Sequence, residues 1–169
     1  VSQLRVVHSV TDGYSDAEIR GQARTNVIYV NHAATGANNG SSWEDAYTDL
    51  ATAIDAASNI GVEGAEFWVA QGTYRPTTGA DRNASFHVYM DMALYGGFVG
   101  TETSRDQRRW WENETILSGD IGIPGDDSDN SYRILTLTST TPKVLDGFII
   151  TGANNDRSGD SGRGGGIWC

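Results

Sequence analysis

Apolar residues along this chain come in short bursts that end in glycine. Val27-Ile28-Tyr29-Val30 reads as a strand, and Asn31 to Gly40 behind it is rich in Asn and Gly, residues that tolerate positive φ in turns. Glu66 to Gly72, Ala93 to Phe98, Ile116-Leu117, Ile134 to Leu137 and Val144 to Thr151 repeat the pattern. From Ser85 to Tyr95, the residues Phe86, Val88, Met90 and Met92 alternate with polar or smaller ones, the period of two that marks a strand. None of these runs is long enough to bury itself, so the strands must stack on one another. Trp68, Tyr95, Leu117, Leu135, Phe148 and Trp168 recur at irregular intervals. That spacing reads as one apolar position per turn of a stacked chain, with loops of variable length between turns.

One stretch has a different period. Trp43, Ala46, Tyr47, Leu50, Ala53, Ile54 and Ala57 follow one another at spacings of three and four, which lines one face of a helix. Ser41 and Glu44 fit a capping box, the acids Glu44, Asp45 and Asp49 suit a helix N-terminus, and Gly61 supplies a stop. The spacing predicts a helix from about Ser42 to Ala57. Before it, Leu4, Val6 and Val7 suit a short strand and Ser15 to Arg24 a helical turn. The fold class predicted is all-β: a right-handed parallel β-helix, or solenoid, with one N-terminal capping α-helix. Residues 1–25 are an extension or linker, and residues 26–169 the N-terminal cap and first coils. Val1 in place of an initiator Met, and a strand just beginning at Gly164 to Cys169, lead to the expectation that the chain is a mature form or a piece truncated at its C-terminus.

Composition sharpens this picture. Glycine contributes 21 of 169 residues and proline only 3, which fits tight turns and close backbone approach rather than a collagen-like or disordered chain. The formal net charge is −10. Nucleic acid is not an expected partner, since phosphate binding needs a basic face, and the same argument disfavours an anionic membrane surface. No apolar run approaches the roughly 18 residues of a membrane span. Lys143 is the single lysine among arginines, and Cys169 is the single cysteine, so no disulfide forms within the chain. An acidic, lysine-poor surface suits an extracellular or cell-surface protein.

Several segments taken in order carry a likeness: Ile28 to Asn31, Asn38 to Trp43, Leu94 to Phe98, Thr101 to Arg108, Ile116 to Asp120, Leu145 to Gly152 and Gly164 to Ile167. They resemble the N-terminal part of bacterial right-handed parallel β-helix proteins of the pectin-lyase-like superfamily, including surface proteins with polymorphic-outer-membrane-type repeats. The resemblance spans roughly residues 27–169. It implies secretion and, often, carbohydrate as ligand or substrate. Where that family shows one Trp, this chain has two, Trp110 and Trp111. The expectation is that Trp110 packs on the coil and Trp111 is exposed.

Candidate chemistry is sparse. Tyr74, Trp110 and Trp111 are the aromatic residues placed to stack on sugar rings. Asp126, Asp127 and Asp129 crowd a glycine-bounded loop, an oxygen-rich composition that suits Ca²⁺, which takes about six to eight oxygen ligands. They lack the glycine and terminal glutamate of an EF-hand. Asn154, Asn155, Asp156, Ser158 and Asp160 form a second such loop. A polysaccharide lyase needs a base, for which Lys143 and Arg133 are the nearest candidates. A hydrolase needs two carboxylates that meet, for which Asp120 and Asp146 are candidates. His8, His32 and His87 are scattered without zinc-like spacing. Three Asn-X-Ser/Thr triplets, at Asn39, Asn83 and Asn113, match glycosylation acceptors by a motif short enough to arise by chance. No nucleophile elbow or phosphate-binding glycine loop is present.

The function expected is a structural, adhesive or filament-forming role at the cell surface, with carbohydrate as a ligand. The alternative is a polysaccharide lyase or glycoside hydrolase whose active coils lie beyond residue 169. A polysaccharide or cell-surface glycan is the expected partner, with self-association through an open solenoid end as a second.

Overall fold

The computed structural model describes residues 4–6, 26–62, 64–89, 91–138, 143–157 and 165–169. Among these residues there are eleven strands and one α-helix: β1 (Leu4–Val6), β2 (Asn26–Val30), α1 (Leu50–Asn59), β3 (Ala65–Ala70), β4 (Gly72–Tyr74), β5 (Phe86–Val88), β6 (Met92–Phe98), β7 (Thr115–Ser118), β8 (Leu135–Leu137), β9 (Val144–Asp146), β10 (Phe148–Thr151) and β11 (Ile167–Trp168). They form three small sheets, ordered β2-β3-β6-β9, β1-β10-β7-β4 and β11-β8-β5. β2 and β3 pair in one sheet, from β3 onward successive strands enter different sheets, and among the described strands every pairing is parallel except that of β1 with β10.

This corrects the all-β solenoid expected from the sequence. The architecture is mixed α/β, with short parallel strands in three small sheets and a helix that shares their core. Leu50, Ala53, Ile54 and Ala57 of α1 pack in one apolar cluster with Val30, Phe67, Val69, Phe86, Leu94, Leu117, Leu135 and Phe148. The positions expected to recur also divide. Trp68 and Tyr95 are register partners on the outer face of the first sheet, whereas Leu117, Leu135 and Phe148 lie in the main core.

The helix is shorter than its apolar spacing predicts. It begins at Leu50, where the Asp49 carboxylate accepts from the Thr52 amide at 2.7 Å. A helix from Ser42 would need the carbonyls of Glu44 and Asp45 for its own ladder. Those carbonyls are already bonded to the amides of Gly36, Asn39 and Gly40 at 2.8–3.0 Å. Tyr47 pairs with the outer edge of β2 instead, exchanging backbone bonds with Tyr29 and Asn31. Gly61, at φ 66°, ends the helix as expected from its place in the sequence, because only glycine takes that backbone conformation freely.

Two long runs break at corners. Ser85 to Tyr95 divides into β5 and β6, which lie in different sheets. The carbonyl of Asp91, at the corner, accepts from the Gly64 amide at 3.0 Å. Val144 to Thr151 divides at Gly147, whose φ is 80° and where a Cβ would lie 2.7 Å from the Gly96 carbonyl oxygen. The expected features at Val7, Ser15 to Arg24 and Met90 fall outside the described residues, as do Ser158 and Asp160.

The first sheet is covered on both sides. Its outer face carries Tyr29, Trp43, Trp68 and Phe98, with Trp68 stacked on Phe98 at 4.9 Å. Arg105 and Arg108 lie over the Tyr95 ring. Arg108 also forms a two-pronged ion pair with Asp146, at 2.8 and 3.3 Å, that is largely shielded from water. These contacts fasten the segment after β6 to the sheet and set the direction in which it leaves.

Candidate functional site

That segment carries the two tryptophans. A turn from Arg109 to Asn113 closes where the amides of Glu112 and Asn113 both donate to the Arg109 carbonyl. The turn is seated on β6 because the Arg109 amide donates to Gly97 O at 2.8 Å. Gly97 is at φ 95°, and a Cβ there would lie 2.5 Å from Trp110 Cα. Only glycine lets the turn come this close. Trp110 is therefore half-buried and meets Trp111 edge-on at 5.5 Å. Trp111 projects from the tip and is 56% exposed.

An open groove of about 670 Å³ runs beside Trp111, lined by His32, Gln71, Gly72, Thr73, Glu112, Glu114 and Ile116. Three separate parts of the chain build it. His32 follows β2, Gln71 to Thr73 is the corner between β3 and β4, and Glu112 to Ile116 leads into β7. The corner is fixed by the Gly72 amide donating to Glu114 O at 2.9 Å. The imidazole of His32 lies close against Gly72, at φ 135°, where a Cβ would meet its Cε1 at 2.4 Å. A second hollow, of about 400 Å³, lies on the other side of Glu112 and reaches Val99, Gln107 and Arg109. Glu112 thus stands between the two, ion-paired to Arg109 at 3.0 Å.

The other residues singled out from the sequence lie elsewhere. Tyr74 is 3% exposed, so its ring presents no face to a sugar. Its hydroxyl donates to Ala70 O at 3.1 Å, and burial pushes the phenol above its usual pKa. It supports the site from below, since its ring meets His32 edge-on.

The three aspartates of the acidic loop do not form a common cage. Among the described residues, no group of three or more His, Cys, Asp or Glu side chains is arranged to hold a metal ion. Asp126 accepts from the hydroxyl and amide of Ser128, which hold its carboxyl below the usual range. Asp127 accepts from the Asn130 side chain at 3.3 Å, and Asp129 from the Ile123 amide at 2.7 Å. Each is drawn to the loop's own donors. Positive charge is already supplied nearby by Arg82, which bonds to the carbonyls of Asn130 and Asn154, pairs with Asp156 and covers the Tyr132 ring.

The candidate hydrolase carboxylates are held by different arginines, Asp120 near Arg75 at 3.6 Å and Asp146 by Arg108. Lys143 is buried just before β9, and Arg133 lies over Trp168. Neither reaches the groove lining.

The groove residues that sequence reasoning missed are His32, Gln71, Thr73, Glu112 and Glu114. Their one sequence signal is Gly72, a glycine at the end of an apolar run. No family model, curated protein or solved structure matches the chain, so the site is defined by its own geometry. No helix among the described residues is long and apolar enough to cross a membrane.

Proposed function

We propose that this is an extracellular or cell-surface protein with a structural or adhesive role, and that it holds carbohydrate in the groove beside Trp111. The observation that carries this reading is the Trp111 ring itself, more than half exposed beside an open groove walled by polar side chains. Exposing so large an apolar ring costs hydrophobic free energy, while its backbone is held in place by the turn on Gly97. Sugars match such a surface. Their C–H faces stack on an indole, and their hydroxyls need donors and acceptors of the kind that His32, Gln71, Thr73, Glu112 and Glu114 provide. The acidic, lysine-poor composition supports the extracellular placement.

A panel of immobilised glycans probed with the intact protein tests the reading. At least one glycan class should be retained, and Trp111→Ala should weaken its binding at least about tenfold, the loss of one stacking contact at a hot spot. Its thermal unfolding should stay within about 0.5 kcal/mol of the parent, since the side chain is at the surface. Retention of no glycan, or equal binding by Trp111→Ala, overturns the reading.

A further inference from the structure

Three consecutive residues of the acidic loop carry oxygens that the fold leaves without a donor. Asn130 is 2% exposed and Ser131 0%. Among the described residues, Asp129 Oδ1, Asn130 Oδ1 and Ser131 Oγ are buried and meet no hydrogen-bond partner. A carboxylate or amide oxygen can only accept, and burying one unsatisfied is costly, most of all when it is charged. The Asn130 side chain is aimed into the loop, since its Nδ2 donates to Asp127 Oδ1 at 3.3 Å. The loop closes over Asn154, whose amide donates to Ser131 O at 3.0 Å and whose Nδ2 donates to Asp127 O at 2.7 Å. Asp127 to Ser131 is thereby drawn into one curl. Asp127 and Asp129 bring negative charge to it, and among the described residues neither is ion-paired. Arg82 reaches the curl at the Asn130 carbonyl, and its charge is met by Asp156.

We infer that this curl binds a calcium ion through Asp129, Asn130 and Ser131, with Asp127 beside them. Every group it offers is an oxygen, which is what a hard cation takes. The set differs from the three aspartates that composition suggests. Asp126 is turned to Ser128, and a buried amide and hydroxyl stand in its place. Among the described residues no three acids or histidines come together, so the site carries little charge and is weak. Its Kd should lie at about 10⁻⁴–10⁻³ M, the range of extracellular calcium modules. A mixed set on a loop suits calcium better than magnesium, which demands a near-octahedral shell and gives up water reluctantly. The inference stands apart from the carbohydrate reading and shares no residue with that groove.

The test is thermal unfolding of the intact, chelator-treated protein with calcium or magnesium chloride added at equal ionic strength. Calcium at about 10 mM should raise the midpoint by at least about 3 °C, the shift that a Kd of about 1 mM gives by mass action in a chain of this size. Magnesium should raise it less than half as much. Asp129→Asn and Asn130→Ala should each lose the calcium shift, while Asp126→Asn, which removes a charge from the same loop, should keep it. Calorimetric titration of calcium into the parent reads binding without relying on any variant's fold. No calcium response in the parent by either method would mean that buried water supplies the missing donors, and overturns the inference. Equal loss in Asp126→Asn and Asp129→Asn would mean diffuse attraction to an acidic surface and overturns the site. An equal response to magnesium overturns the assignment of calcium.

Discussion

Single residues decide the geometry of the groove, and most of them are small. Gly97 lets the tryptophan turn lie on β6, and Gly72 lets His32 lie on the corner below it. A methyl group at Gly72 collides with the imidazole at 2.4 Å and forces a β-carbon into φ 135°. Gly72→Ala should therefore destabilise the fold by about 1–3 kcal/mol, read as a lower urea midpoint at unchanged slope, and should weaken glycan binding by displacing His32. An unchanged midpoint contradicts the stated packing. Of this, the sequence shows a part. That Trp111 rather than Trp110 faces solvent matches the expectation drawn from the paired tryptophans. Tyr74 is chemically as good a sugar platform, yet lies buried under His32, and nothing local in Arg75 or Thr73 announces that.

At the scale of elements, local pattern and tertiary bonding compete, and the helix shows where each prevails. Leu50, Ala53, Ile54 and Ala57, read from spacing alone, do face the core. Trp43, Ala46 and Tyr47 continue the same spacing but belong to a loop, because Gly36, Asn39 and Gly40 take the carbonyls that a helix needs. Those donors lie before the stripe, where periodicity gives them no weight. The true start is Asp49, whose carboxylate also accepts from the Thr52 hydroxyl at 2.7 Å. Asp49→Ala should cost about 1 kcal/mol, the usual worth of an N-cap. Ser41→Ala, at the cap suggested by sequence, should cost less than Asp49→Ala. Denaturant unfolding of the two variants distinguishes the starts, and the reverse order contradicts the cap assigned here. The strand corners at Asp91 and Gly147 escaped a periodicity reading for a related reason. An apolar run continues through a corner when both flanking strands are buried, as they are in β9 and β10.

For the molecule as a whole, the sheets leave edges that the chain itself partly covers. Tyr47 and Gly40 bond to the outer side of β2, and β1 lies antiparallel along β10, with Leu4 opposite Ile150 and Val6 opposite Phe148. An uncovered strand edge invites another chain. Deleting residues 1–6 should therefore shift the protein towards dimers or larger species in sedimentation velocity at tens of micromolar, while the full chain stays smaller. No change in the distribution would mean that β1 does not guard that edge. The separate sheets and the helix within their core were not legible as such, because the sequence marks strands but not which sheet each one joins. The groove was hidden for the same reason, since His32, Gln71 to Thr73 and Glu112 to Ile116 come together only when β3, β4 and β7 are in place.

The most direct test of the carbohydrate reading uses the indole N–H signals of the five tryptophans. Trp43 and Trp68 hold their N–H groups in bonds to Glu102 O and the Glu66 carboxylate, and Trp168, 37% exposed, lies beside Arg133 rather than at the groove. Titration with a glycan retained on the panel should move one indole signal strongly, the one that disappears in Trp111→Ala, with a smaller shift at Trp110. Movement centred on Trp168, or no movement of the Trp111 signal while the glycan is bound, would place the ligand elsewhere and contradict the account.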